Sequence, residues 1–427
     1  MLVVASRLLP ALALRRTLDF SPQVRRALRV DISASLLVTV FVGLTGPFTG
    51  LILRRELGAT PLQLSILASA GAACLLMSLA LTRLIDHRRP LGFVVWPTFV
   101  ARSLFLFVPL IDTPWPLVAV LVTGTLMSAV TGPAQAALVQ QVYPLQERGR
   151  ALGTVRVAGA ALSIALSIAA GHLFTWVSYR WIFCAAGVFG MAACLRQRRL
   201  PVPPAPAGRD TDRPGLREAW CAMREDHGYR RALLASFVFG SGIWVQMPAT
   251  PLLLADVLHA TTAQVGFLAA TAAAAALGGS LLWGHLADRR SSLIALRTVY
   301  VLGTLTPLIY YSCRTPWMLV AASISESLMH TGLDLVWMLT VIEFAGPRRT
   351  AQYAAIAGTL AGVRGVIGPF LGAAIIETLG VRPVYLVSAG LMATGALMVS
   401  GHLYSRRRAA EATARRALEA LQAAARI

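Results

Sequence analysis

The feature that most constrains this chain is a succession of long apolar runs with almost no charge inside them. Twelve can be drawn, at about 32–53, 62–84, 91–111, 115–139, 151–175, 180–196, 231–254, 262–283, 293–312, 316–343, 350–377 and 382–403. Most approach the roughly 20 residues with which a helix crosses a hydrocarbon layer about 30 Å thick. Hydrocarbon offers no partners to backbone N–H and C=O groups, so such runs must close their hydrogen bonds internally, as helices. Only 14% of the 427 residues are charged, against 56% hydrophobic, where a soluble domain carries about 25% charged residues. The expectation is an all-α membrane protein of twelve transmembrane helices, with the lipid bilayer as its surroundings.

The net charge is +20, and all 39 basic residues are arginine. Lysine and asparagine are absent, a bias that suggests a bacterial genome rich in G and C. Arg83, Arg88, Arg89, Arg148, Arg150, Arg289, Arg290, Arg297, Arg348 and Arg349 follow even-numbered runs, whereas the opposite loops hold only Arg54, Arg55, Arg180, Arg314 and Arg382. Basic loops stay on the cytoplasmic side, so both termini are expected there, in a bacterial inner membrane. Trp115, Trp176, Trp181 and Trp317 cluster at the other end, where amphipathic rings suit the headgroup level. The basic excess is thus read as topology and not as nucleic-acid binding. The five cysteines form no CxxC pair, and no cofactor is expected.

The chain divides into a basic N-terminal segment (1–30), a six-helix half (31–196), a proline-containing polar loop (197–230), a second six-helix half (231–403) and a C-terminal helix (404–427). The loop and both ends are expected in the cytoplasm. The halves repeat: shifted by 201, Pro47–Ala68 falls on Pro248–Ala269 with identities that include Pro47/Pro248, Thr49/Thr250, Thr60/Thr261 and Gln63/Gln264. One inserted residue later, Asp86 meets Asp288 and Arg180 meets Arg382. Six plus six helices in one orientation is a parallel repeat.

Gly284-His285-Leu286-Ala287-Asp288-Arg289-Arg290, after the eighth run, resembles the G-x-L-A-D-R-x-G-R signature of the major facilitator superfamily. A degenerate copy, Thr82 to Arg89, keeps Asp86 and the basic residues without the leading glycine. The resemblance covers 31–403. It implies that family's two-half fold, a central cavity lined by helices 1, 4, 7 and 10, and a conformational latch at Gly284, Asp288, Arg289 and Asp86. The glycine is expected to permit close helix packing. Helix four lacks the arginine of many proton-antiporting members, and a G-x-x-x-G-P-like string stands in helix eleven (Gly365 to Gly372) where the fifth helix is its usual place.

Charge inside an apolar run costs about 2.5–3.5 kcal/mol even on gentle scales, so each instance needs a reason. Glu326, His330 and Asp334 are spaced four and four, on one face of helix ten. Arg364 lies in helix eleven, Arg102 in helix three and Arg156 in helix five. One reading makes the helix-ten stripe a site for proton coupling or substrate binding. Another makes it a structural ion pair of Glu326 or Asp334 with Arg364. A third is metal ligation by the stripe itself. Arg102 and Arg156, if both face inward, favour an anionic or zwitterionic substrate. Gln135, Gln140, Trp244, Gln246 and Trp337 are further contacts suggested by helix membership. Pro47 and Pro248 should kink helices one and seven, as static bends or as gates.

These features predict an alternating-access transporter of a small-molecule substrate, driven by protons through helix ten and acting as a monomer. The rivals are a transporter-like scaffold or assembly factor that moves nothing, and uptake or efflux of a metal ion or chelate. No Walker pattern, HExxH motif or nucleophile–base constellation points to an ATPase or another enzyme.

Overall fold

The computed structural model describes residues 20–81, 90–203 and 226–424, with the side chains of 78–81, 133, 346–348, 351 and 405–424 excepted. All regular structure in these residues is helical. The helices are α1 (Pro22–Arg55), α2 (Pro61–Leu81), α3 (Pro90–Ser103), α4 (Pro114–Val142), α5 (Leu145–Trp176), α6 (Tyr179–Gln197), α7 (His227–Gln246), α8 (Thr262–Arg289) and α9 (Ser292–Ser312). Two further spans, α10 (Pro316–Ala345) and α11 (Gln352–Leu379), and α12 (Val381–Ala424) complete the set. α3 tightens into a 3₁₀ segment, Leu104–Leu110.

Among the described residues ten helices are long and apolar enough to cross a membrane, and α2 and α6 are the other two of the twelve helices. The most apolar windows of the ten are only 17–56% buried, so much of their apolar surface faces outward. That suits lipid and would be ruinous in water. α1, α2, α3 and α4 open on or beside proline, whose fixed φ and missing N–H cost nothing in a first turn.

Side-chain contacts define the two ends of the bundle. Ser21 donates to Glu147, Arg196 to Ser33 and Gln197 to Gln135 at one end, here called basal because α1 begins there. Arg180 reaches Asp112, and Arg382 the Cys313 carbonyl, at the other. Odd helices therefore run away from the base and even helices return to it. Trp115, Trp176, Trp181 and Trp317 stand exposed at the far end.

The far end is sealed. One apolar cluster there combines Phe48, Leu51 and Leu53 of α1, Leu117 of α4 and Phe183 of α6 with Leu252, Leu253, Val265, Tyr310 and Tyr385 of the second half. The other clusters belong to one half each: one at the base of the first, two in the second. α5 crosses α8 where Gly171 meets Gly266; a methyl group on Gly171 would stand 2.7 Å from the Thr262 carbonyl oxygen and 3.1 Å from the Gly266 Cα. α2 lies on α11, with Ser65 donating to the Pro369 carbonyl at 2.7 Å and Ser69 to that of Val366 at 3.1 Å. Arg54 closes the rim on Asp256 at 2.8 Å, with both side chains partly exposed.

The threonine and glutamine identities of the repeat have a direct cause. Thr60 with Gln63, and Thr261 with Gln264, form reciprocal caps at the starts of α2 and α8. The preceding turns match as well: Ala59 N–H bonds Leu53 and Ala260 N–H bonds Leu254, both at 2.8 Å. Gly58 and its counterpart His259 both have positive φ, 68° and 48°. Glycine adopts that backbone freely, and His259 holds it with its ring nitrogen 3.1 Å from the Ala255 carbonyl.

Three local features bear on how the helices pack. Helix α1 runs unbroken through Pro47, whereas α7 stops at Gln246 and resumes as Ala249–Leu252 and a π turn, Leu253–Val257. The helix of α10 continues without interruption into α11, from Leu319 to Leu379. A methyl group on Gly284 would meet no atom of the described residues within 4 Å, and the close approach of α8 to α10 is made by Gly279 on Leu328 and Gly332 on Trp283.

Candidate transport site

A cavity of about 700 Å³ lies among α1, α3 and α4, reaching from Thr49 to Asp31 and Gln197 near the base. Seven serines and threonines line it: Ser35, Thr45, Thr49, Thr98, Thr125, Ser128 and Thr131. Six donate their hydroxyl proton to a carbonyl three or four residues back on their own helix; Thr49 to Thr45, for example, spans 2.7 Å and Thr98 to Val94 also 2.7 Å. That bond is how a hydroxyl is carried in an apolar helix at low cost, and it leaves oxygen lone pairs as acceptors. Phe41 and Phe105, edge to face at 5.0 Å, add an aromatic wall.

Arg102 borders the cavity but is built into its wall. Its guanidinium donates to the Gly190 carbonyl at 2.7 Å and to Cys194 Sγ at 3.3 Å, and lies 5.2 Å from the centre of the Phe41 ring. Gly190 makes room for it, since a methyl there would meet Arg102 Cδ at 2.6 Å. Arg156 is exposed and bonds no described residue; it lies one turn from Leu152, which lines the cavity.

Asp31, which the sequence reading passed over, borders the basal end of the cavity. Its Oδ2 accepts the Tyr143 hydroxyl at 2.8 Å, across 112 positions of chain. Burial and the adjacent Asp31 carboxylate push the Tyr143 phenol well above its usual range, so it remains a donor at any physiological pH.

The helix-ten stripe is divided. Glu326 accepts the Tyr310 hydroxyl at 2.6 Å and stands 4.0 Å from His330 Nε2. Asp334 is exposed and bonds no described residue. Arg364 turns away from all three: it donates to the Ser236 carbonyl and presses its guanidinium against Gly240 of α7. The anticipated pairing of Arg364 with Glu326 or Asp334 is therefore not made. The rotation of α11 aims the side chain at α7, where glycine leaves space for it. Among the described residues no three of histidine, cysteine, aspartate and glutamate converge as a metal site.

Tyr310 stacks on Tyr385 at 5.2 Å, and the Tyr385 hydroxyl lies 3.5 Å from Thr250 Oγ1. Thr250 belongs to the resumed part of α7, between Ala249 and Leu252 of the seal. Gln246 is buried and bonds Ser388, and Trp244 packs against Gly365 and Gly368. Neither borders the first-half cavity, whereas Gln135 does. Of the latch residues, Asp288 and Arg289 are exposed and bond no described residue; Asp86 lies outside the described residues.

Two six-helix halves, sealed together at one end and with a polar cavity within the first, are the architecture of a transporter of small solutes. A model of the Major Facilitator Superfamily matches residues 32–231 and again 232–425, and the chain belongs to that family. It is a multi-pass membrane protein that moves a small solute and is not an enzyme. It is 27% identical over 380 residues to a Deinococcus radiodurans protein named "Putative sugar efflux transporter", spanning 84% of this chain and 93% of the relative. A crystal structure of a mutant of the nucleoside transporter NupG has a TM-score of 0.69 at 13% identity, covering 87% of this chain and 99% of that one. A bacterial homolog of the human lysosomal transporter Spinster, solved inward-facing and occupied, has a TM-score of 0.63 at 13% identity, covering 90% and 98%.

Proposed function

We propose that the chain exports a small polyhydroxylated solute of the sugar class across a bacterial inner membrane by alternating access, driven by the proton gradient. The observation that carries this reading is the cavity bordered by seven hydroxyl side chains in a molecule sealed at the opposite end. Its volume falls within the roughly 300–1,000 Å³ of small-molecule sites. The relative's name supports both the sugar class and the outward direction. The arginine asymmetry of the loops makes the basal end cytoplasmic, so the present conformation faces inward and would load solute from the cell.

Glu326 is the proposed coupling group. Through Tyr310 and Tyr385 it touches Thr250, on the segment of α7 that resumes after Pro248 and joins the seal. A change of charge at Glu326 would therefore act on the gate through the two stacked tyrosines. Pro248, where α7 breaks, is the gating bend of this scheme; Pro47, within an unbroken helix, serves the first half as a static element. Asp288 and Arg289, which bond no described residue here, would latch the opposite conformation, in which the base closes.

The test is efflux of radiolabelled methyl β-D-glucopyranoside and lactose from proteoliposomes, with and without an imposed pH gradient. Accelerated, gradient-dependent efflux of either sugar is expected. Rates equal to those of protein-free liposomes for both would refute the reading.

A further inference from the structure

Within the reading of this chain as a sugar-class exporter, we propose that Asp31 is the residue that selects the substrate: its free carboxylate oxygen takes hydrogen-bond donors from the solute, so the protein carries neutral or amine-bearing polyols and rejects acidic ones.

Asp31 stands near the foot of α1 and borders the cavity. One oxygen, Oδ2, is held by Tyr143. The other has no partner among the described residues. The Nε–H of Arg196 donates to Ser33 Oγ at 2.7 Å, and among the described residues Arg196 makes no ion pair with Asp31. An ionised carboxylate has about four acceptor sites, and a half-buried one held by a single hydroxyl is short of donors. Something entering from the cavity must supply them.

The rest of the lining points the same way. Six of the seven hydroxyls have already donated to their own helices, so what they offer a solute is mainly lone pairs. Arg102, the cation on this wall, has its guanidinium anchored on Gly190, Cys194 and Phe41. A solute rich in O–H or N–H groups completes such a surface, whereas a carboxylate-bearing one sets its charge against Asp31. Tyr143 positions the carboxylate, donating to one oxygen and leaving the other turned to the cavity.

The experiment measures binding to the purified full-length protein in nanodiscs by isothermal titration calorimetry. Three sugar probes differ in charge: methyl β-D-glucopyranoside, D-glucosamine and D-glucuronate. A second frame repeats the series with benzyl alcohol, benzylamine and benzoate. The wild type is expected to bind glucosamine and the neutral glucoside at least tenfold more tightly than glucuronate, as one charge-assisted hydrogen bond is worth roughly tenfold to hundredfold. Asp31→Asn should erase the ranking by charge with unchanged thermal stability, and Asp31→Glu should restore it in part. A merely structural carboxylate would weaken all probes alike. An identical ranking in wild type and Asp31→Asn overturns the proposal, as does preferred binding of the acidic probes. Loss of sugar binding with the benzylamine preference intact, and dependent on Asp31, would sink the sugar reading while upholding the role of Asp31. No binding in either frame overturns both.

Discussion

Gly171 offers the sharpest test of how the seal is held. It faces α8 of the other half, and an alanine there would place its methyl 2.7 Å from the Thr262 carbonyl oxygen and 3.0 Å from the Ala263 Cα. Both are backbone atoms of a capped helix start and cannot swing aside. Reaching an ordinary C···O separation of about 3.3 Å requires the halves to part by roughly 0.6 Å. Overpacking of this kind costs about 1–3 kcal/mol. The helix-propensity gain of alanine over glycine, about 1 kcal/mol, applies in either conformation and cancels. The cost therefore falls on the sealed state alone and should shift the balance away from it roughly fivefold to 150-fold. Spin labels at positions 113 and 315, exposed on opposite halves at the sealed end, report this as growth of a long-distance population in electron–electron resonance. Gly153→Ala, on the same helix with nothing within 4 Å, is the control and should leave the distribution alone. Unchanged distances in both Gly171→Ala and the bulkier Gly171→Leu would refute the argument.

Four further outcomes are expected. Asp256→Ala removes a partly exposed ion pair worth about 0.2–1 kcal/mol, so the same labels should move by less than about sixfold, and the effect should fade in high salt. Tyr310→Phe keeps the ring on Tyr385 but removes the donor to Glu326; gradient-driven efflux should fall while gradient-independent exchange persists, and equal loss of both would count against coupling through Glu326. Because Arg364 bonds α7 and not α10, the stability losses of Glu326→Gln and Arg364→Gln should add to within about 0.5 kcal/mol. Recovery in the double variant would show that the two side chains pair in some other state. Single cysteines at positions 210 and 415, in a protein stripped of its own, should react with an impermeant reagent only from the cytoplasmic side; labelling of intact cells would invert the topology.

Much of the fold was legible because lipid leaves a chain few choices. Twelve apolar runs had to be twelve helices, since nothing else satisfies the backbone in hydrocarbon. The Pro47–Ala68 repeat was equally plain, and its costly identities proved to be the two Thr–Gln caps and the turns before them. The chemistry was less so. Asp31 sits at the edge of the first run beside an arginine-rich stretch and reads as a solvated charge; only the return of α4 brings Tyr143 to it. The serines and threonines of the cavity read as tolerated polar residues within apolar runs, because spacing along one helix does not say which neighbour it meets.

The sequence by itself determined the number of spans, their repeat and which residues carry charge within them, because those follow from local composition and from the absence of water. Tertiary structure alone decided two things. It chose the partners of the buried charges, sending Arg364 to α7 and Arg102 into the wall of Phe41 and Gly190, since a helix's rotation about its axis is set by packing against all its neighbours at once. It also chose which end is closed. A chain built of two like halves has no local feature that prefers one closure, and the choice rests on summed contacts between elements far apart: α1 with α7, α2 with α11, and α5 with α8.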